Sequence, residues 1–188
     1  DVKQYPECIR KMYRENWVLE GFLNNIMERE LERLSKVWGE EGGRPKIQMI
    51  QGNIADLPVI VDAIVNAANP PMLGGGGVDG ALHKAAGPGL KAECKTFPEI
   101  APGVRCLPTD HKITKAYDLK ADYVFHACGP IFPAASDRNL MPGEYISVTP
   151  FEDLVATYRG IINRADALRL NTIAVPALSA GAYGGTIE

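Results

Sequence analysis

Along the chain, apolar residues switch between a helical and an extended period. Across residues 6–38 they recur at spacings of three and four, as at Ile9, Met12, Tyr13, Leu23, Ile26 and Met27. That stretch predicts helix, with Glu32 and Lys36 as a favourable i,i+4 pair and Gly21 marking a break into two helices. Residues 39–45 are a glycine-rich hinge ending in Pro45. Residues 46–51 then predict a strand, and residues 54–60 a loop and turn. Asp62 to Asn66 predict a short buried strand with Ala63, Ile64 and Val65 inside. Helix is predicted over residues 80–95 and strands over residues 123–127 and 172–176. Residues 134–148 show no period and are expected to be loop. Thr149-Pro150-Phe151-Glu152 predicts a helix start, with Thr at the N-cap and Pro at the first helical position. Its expected buried face includes Phe151, Leu154, Tyr158, Ile161 and Ile162.

Strands alternating with helices predict an α/β class with a central mixed sheet and helices on both faces. Residues 1–45 are expected to form an N-terminal helical extension and hinge, and residues 46–188 the α/β domain. At 188 residues the chain is long enough for one domain with a real core. No apolar run approaches the ~18 residues of a membrane span, and the polar start does not resemble a signal peptide. A formal net charge of -3 disfavours general nucleic-acid binding. It leaves room for an anionic ligand held by backbone dipoles. Cys8, Cys94, Cys106 and Cys128 form no C-x-x-C pair, and His83, His111 and His126 show no zinc-ligand spacing. Reduced thiols, no metal and an intracellular, cytoplasmic setting are therefore expected.

The chemistry concentrates after the strand at Asp62. Asn66 and Asn69 precede the run Gly74-Gly75-Gly76-Gly77-Val78-Asp79-Gly80, which feeds a predicted helix. Glycines let backbone N–H groups approach a phosphate, and a helix N-terminus favours an anion. Gly75, Gly77 and Gly80 match G-x-G-x-x-G, but the loop is long and holds Pro70 and Pro71, so a dinucleotide fingerprint is disfavoured. No G-x-x-x-x-G-K-[ST] occurs. A second glycine-rich loop, Ser179-Ala180-Gly181-Ala182-Tyr183-Gly184-Gly185, follows the strand at residues 172–176. Two such loops at the carboxyl ends of strands suit a diphosphate in the crevice between them.

Ordered blocks across these elements resemble the macrodomain family, and within it the MacroD-type ADP-ribosyl hydrolases. They are Asn66-Ala67-Ala68-Asn69 with Gly74 to Gly80, His83 through Gly87-Pro88, Glu93-Cys94, Lys112-Ile113-Thr114, Tyr123 to His126, Gly129-Pro130 and Ser179 to Gly184. The resemblance implies a three-layer α/β/α macrodomain over residues 46–188. Such a domain continues past the second glycine loop with a helix, a strand and a terminal helix, which are expected to be missing here. It implies ADP-ribose as ligand and product, with Gly75, Gly76, Gly77, Val78, Ser179, Ala180, Gly181 and Ala182 along its diphosphate. It implies a ribose contact from Asn69, support from Asn66, and Asp79 as the group that orients or activates water. No cofactor, metal or covalent nucleophile is implied. Implied substrates are O-acetyl-ADP-ribose and mono-ADP-ribosyl esters on Asp or Glu side chains of proteins. A non-catalytic ADP-ribose reader is the alternative.

Each residue also has a plainer reading. Asn66 and Asn69 could satisfy backbone groups at a strand end. Asp79 could serve the helix dipole. Tyr183 is either an aromatic wall for the ribose or a core aromatic. His83 is expected to pack under the loop, and His126 to be a satisfied core histidine. Near the adenine end, Gly52-Asn53-Ile54 has Asn53 where the family carries an acid. An amide oxygen still accepts, without the charge-assisted bond. Lys120 likewise stands where a proline is usual.

Overall fold

The computed structural model describes residues 52–185, the compact unit Gly52–Gly185. The N-terminal helical extension, the hinge and the strand expected at residues 46–51 lie outside the described residues, as does Cys8.

A short, fully apolar core run makes the central strand. β1 (Val61–Ala67) buries Ala63, Ile64, Val65 and Asn66. It pairs in parallel with β3 (Ala121–Ala127) on one side and with β4 (Ile173–Ala174) on the other. β2 (His111–Lys115) pairs antiparallel with β3, giving a mixed sheet in the order β2-β3-β1-β4. β2 carries no sequence signal for a strand. Among the described residues it lies at the sheet edge, with most positions half-buried, so it can hold charged Lys112 and Lys115.

Helices cover both faces. α1 (Gly77–Ala86) and α2 (Pro88–Cys94) pack Leu82, Ala86 and Leu90 against Ile64 and Val124. The predicted single helix over residues 80–95 is thus two helices, and it starts earlier. Gly87, at φ 76°, breaks it, and Pro88 opens the second piece. α3 (Pro150–Ala167) lies on the face of β2 and β3, where Gly160 comes against His111 and His111 stacks on Phe125 at 5.9 Å. From β1 the chain leaves toward β3 under α1 and α2, then crosses by α3 to β4. That reversal at β1 is a switch point, the place where open α/β sheets bind ligands at the carboxyl ends of their strands.

α3 begins where predicted, at Pro150, but Thr149 makes no side-chain cap. Instead Thr149 N–H donates to Ser147 Oγ (3.1 Å), and Ser147 Oγ–H donates to Asp153 Oδ2 (2.6 Å). Leu154, Tyr158, Ile161 and Ile162 are buried as expected, whereas Phe151 is partly exposed and packs edge-on against Phe132 at 5.2 Å. Tyr158 ties α3 to the second glycine loop: its hydroxyl donates to Pro176 O (3.1 Å) and accepts from Leu178 N–H (2.9 Å).

Candidate functional site

Three connections gather at the carboxyl ends of β1, β3 and β4. Residues 68–76 lead into α1, residues 128–135 follow β3, and residues 175–185 follow β4. The last two are tied together. Ser179 Oγ–H donates to Pro130 O (2.7 Å) and Phe132 N–H donates to Tyr183 O (2.8 Å). A Cβ at Gly129 would collide with Ser179 Oγ, so glycine permits that approach.

α1 starts at Gly77, three residues before the predicted start. Gly77, Val78 and Asp79 therefore form its first turn rather than loop. Gly80 N–H makes the first intrahelical bond, to Gly76 O at 3.3 Å. The preceding N–H groups have no helical acceptor, an arrangement that favours an anion. Gly80 fits there because a Cβ would collide with the carbonyl oxygen of Gly75.

Asp79 is 4% exposed. Its Oδ1 accepts Asn66 Nδ2–H at 2.7 Å. The second Asn66 N–H points at His126 Nδ1, 3.1 Å away, and His126 Nε2 lies 3.0 Å from Thr114 Oγ1. A flipped Asn66 amide would set oxygen against carboxylate, so the network fixes the orientation. His126 Nδ1 then accepts, and Nε2–H donates to Thr114. Burial keeps His126 neutral and lowers its pKa to about 3. This is the satisfied core histidine expected from its apolar strand. Asn66 is a supporting residue for Asp79, wholly buried.

Asp79 Oδ2 is buried with no partner among the described residues. It faces Gly75, where a Cβ would stand 3.1 Å from it and 3.0 Å from Asn69 Nδ2. Glycine at 75 thus keeps a methyl group off this carboxylate oxygen and the Asn69 amide N–H. Asn69 also serves its own turn, with Oδ1 accepting Met72 N–H at 3.1 Å. This is the plainer of its two readings, a side chain that satisfies a backbone group. Burial raises the pKa of Asp79, against the opposing effects of Asn66 and His83. His83, one turn on, has Nε2 3.4 Å from Asp79 Oδ1 and packs under Gly74. Burial lowers its pKa. The i,i+4 spacing of Asp79 and His83 was a usable sequence signal for this contact.

The fold brings His83, Cys94 and His126 together, with ligand atoms within 4.8 Å of one another. Sequence spacing gave no sign of this. Both His126 nitrogens are already engaged, and burial pushes the Cys94 thiol up to about 12. The His83 nitrogens have no hydrogen-bond partner among the described residues, and the three side chains together form a support beneath Asp79. Cys94, Cys106 and Cys128 are free and buried.

In the second loop, Gly181 and Ala182 are exposed. Ser179 is buried at φ 66°, its hydroxyl turned inward to Pro130. Ala180 N–H turns back to Ala177 O at 3.4 Å. Tyr183 donates its hydroxyl to Glu144 Oε1 at 2.6 Å. Ile54 and Val78 pack against the same core cluster. Asn53 Oδ1 accepts Ala55 N–H at 3.0 Å, leaving one lone pair for a ligand donor. Lys120 Nζ holds this turn by donating to Leu57 O at 2.8 Å.

The neutral His126 gives the fold a pH dependence. Its pKa falls from 6.5 to about 3 on folding, so between those values the unfolded chain binds more protons. That stability is fully present above pH 6.5 and is lost as pH falls toward 3. His83 and His111 shift the same way, while the raised pKa of Asp79 acts oppositely just above 3.8. Urea unfolding at pH 5 should show about 2 kcal/mol less stability than at pH 7 from His126 alone. Equal stabilities would contradict a buried neutral His126.

Fold and site define an α/β domain with two glycine-rich loops at the carboxyl ends of its parallel strands and the buried Asp79 carboxylate in the first turn of α1. Comparison with known proteins gives that class its family. The Macro domain profile matches residues 65–188. A macro domain-containing protein of Xanthomonas axonopodis is 43% identical over 139 residues, 74% of this chain and 70% of that protein. An O-acetyl-ADP-ribose deacetylase of Cronobacter turicensis is 40% identical over 139 residues, with 74% and 70% covered. Among solved structures, the Oceanobacillus iheyensis macrodomain with ADP is 33% identical at TM-score 0.59. That alignment covers 71% of this chain and spans 64% of the other. The Trypanosoma brucei macrodomain in complex with ADP-ribose is 39% identical at TM-score 0.55, covering 71% of this chain and 47% of that one. The chain belongs to the Macro domain family and has the macrodomain fold.

Proposed function

We propose that the chain binds ADP-ribose and hydrolyses esters on its distal ribose: O-acetyl-ADP-ribose and mono-ADP-ribosyl esters of protein Asp and Glu side chains. The observation that carries this reading is the Asp79 carboxylate. One oxygen is held by Asn66, and the other is buried without a partner among the described residues, beside Gly75 at the head of α1. A reader needs only the backbone N–H groups. A buried carboxylate oxygen against a phosphate site is unfavourable for binding alone, and is what water activation requires.

In this mechanism the N–H groups at the start of α1 and those of the exposed Gly181 and Ala182 hold the diphosphate. Asn69 orients the distal ribose. Asp79 Oδ2 takes a proton from water, whose oxygen attacks the ester. That oxygen bonds to the ester carbonyl carbon, the acyl–ribose oxygen bond breaks, the released acid carries the water oxygen, and the ribose oxygen takes the proton from Asp79 to become a hydroxyl. Burial lifts the Asp79 pKa toward the working range, which strengthens it as a base. The ligand's own phosphate shares the task. The relatives named for O-acetyl-ADP-ribose deacetylation support the substrate class. An intracellular setting suits the free thiols.

The test is an ADP-ribose titration beside a turnover assay with O-acetyl-ADP-ribose and a mono-ADP-ribosylated acidic protein. ADP-ribose at a hundredfold over Kd should add about 2.7 kcal/mol of stability. AMP, without the second phosphate and distal ribose, should raise Tm less. Equal shifts from the two would refute the two-loop site, and binding without turnover would make the chain a reader.

A further inference from the structure

The stretch between β3 and α3, patternless in sequence, reaches the second glycine loop through one buried cluster. Glu144 has a side chain 1% exposed and accepts three donors. Tyr183 O–H reaches Oε1 at 2.6 Å and Met141 N–H reaches Oε2 at 2.8 Å. Arg138 Nη2 stands 3.3 Å from both oxygens. The Arg138 guanidinium also covers the Tyr183 ring, 4.7 Å from its centroid. Burial and the Glu144 carboxylate both push the Tyr183 pKa up, so the hydroxyl remains a donor. Beneath the cluster, Gly184 and Gly185 press against Ala135 and Phe132 with no room for a Cβ. The ring is therefore held at its tip, on one face and through its own backbone.

We infer that Glu144, assisted by Arg138, is a positioning residue that fixes Tyr183 beside residues 179–185 and so sets how well the site distinguishes ligands carrying a distal ribose. This rests on the proposed ADP-ribose site. An isolated loop tyrosine samples several rotamers, and ordering it on binding weakens affinity. Here the protein orders it beforehand. The tyrosine hydroxyl is already engaged by Glu144, so Tyr183 meets the ligand through its ring.

The experiment compares ADP-ribose with ADP, which lacks the distal ribose, by calorimetric titration of the whole chain. Glu144→Ala and Tyr183→Phe should each weaken ADP-ribose about tenfold and ADP less than twofold. The double variant should be little worse than either single one, since both remove the same hydrogen bond. Glu144→Gln keeps an acceptor for the hydroxyl and should restore most of the ADP-ribose affinity. Equal losses for both ligands, additive effects, or a Gln variant as weak as Ala would overturn the inference. Amide hydrogen exchange gives a ligand-free reading. Exchange across residues 179–185 should quicken in Glu144→Ala while β1 stays protected. Faster exchange in a protein that ignores ADP-ribose would keep the positioning role and discard the ligand. Unchanged exchange would reject the positioning role.

Discussion

Replacing Asp79 should abolish most ester turnover while leaving ligand binding largely in place. We expect Asp79→Ala and Asp79→Asn to lose about 10²-fold or more in kcat, the range for removing a general base. The two variants separate chemistry from structure. In Asp79→Asn the new amide oxygen can still accept Asn66 Nδ2–H, so the chain from Thr114 through His126 and Asn66 to position 79 stays connected. In Asp79→Ala the buried Asn66 N–H loses its acceptor, at a cost of about 1–3 kcal/mol of stability. Both should bind ADP-ribose within a few-fold of the parent, because backbone N–H groups hold the diphosphate. The change could even be a gain, since a carboxylate near a dianion is repulsive. Urea unfolding, Kd and single-turnover rates report the three quantities separately. Undiminished turnover in Asp79→Asn would remove this carboxylate from the mechanism and leave the ligand phosphate to activate water.

What the sequence shows of this site depends on how local each contact is. β1 was legible because Ala63, Ile64 and Val65 are wholly inside and the polar Asn66 ends the run. The glycine loop was legible because few other roles explain four consecutive glycines before a helix. The start of α1 was not. Gly77, Val78 and Asp79 read as loop, yet they form the first turn of the helix, and Gly80 follows them because only glycine fits against the Gly75 carbonyl. β2 was hidden for another reason: Lys112 and Thr114 share a face with His126 and Val124, so its alternation mixes charge and burial. Thr149 shows a motif recognised in outline and wrong in detail, because Ser147 took the polar contact of the helix start. Glu144 and Arg138 left no trace at all. Their partner is 39 residues from Glu144, and a carboxylate in a patternless segment gives no hint of burial.

Glutamate at Gly76 should block the ligand and leave the fold intact, whereas alanine at Gly80 should do the reverse damage first. Gly76 caps α1 at φ -92° and ψ 179°, a conformation open to any residue, and a Cβ there meets nothing within 4 Å. A carboxylate at a helix N-terminus is also favourable with the dipole. Gly76→Glu should therefore unfold at or slightly above the parental Tm. The same carboxylate occupies the anion site from within and repels the incoming diphosphate. Two unit charges 4 Å apart at an effective dielectric of 20 repel by ~4 kcal/mol. A loss of 10²-fold or more in ADP-ribose affinity is the expected result, equivalent to at least about 2.7 kcal/mol. Gly80→Ala places its methyl on the Gly75 carbonyl, so the loop must move. Its Tm should fall before any binding measurement is made. Calorimetry of the two variants beside the parent checks both halves. Parental ADP-ribose affinity in Gly76→Glu would show that the ligand sits elsewhere. Parental stability in Gly80→Ala would show that α1 does not lie so close to the loop.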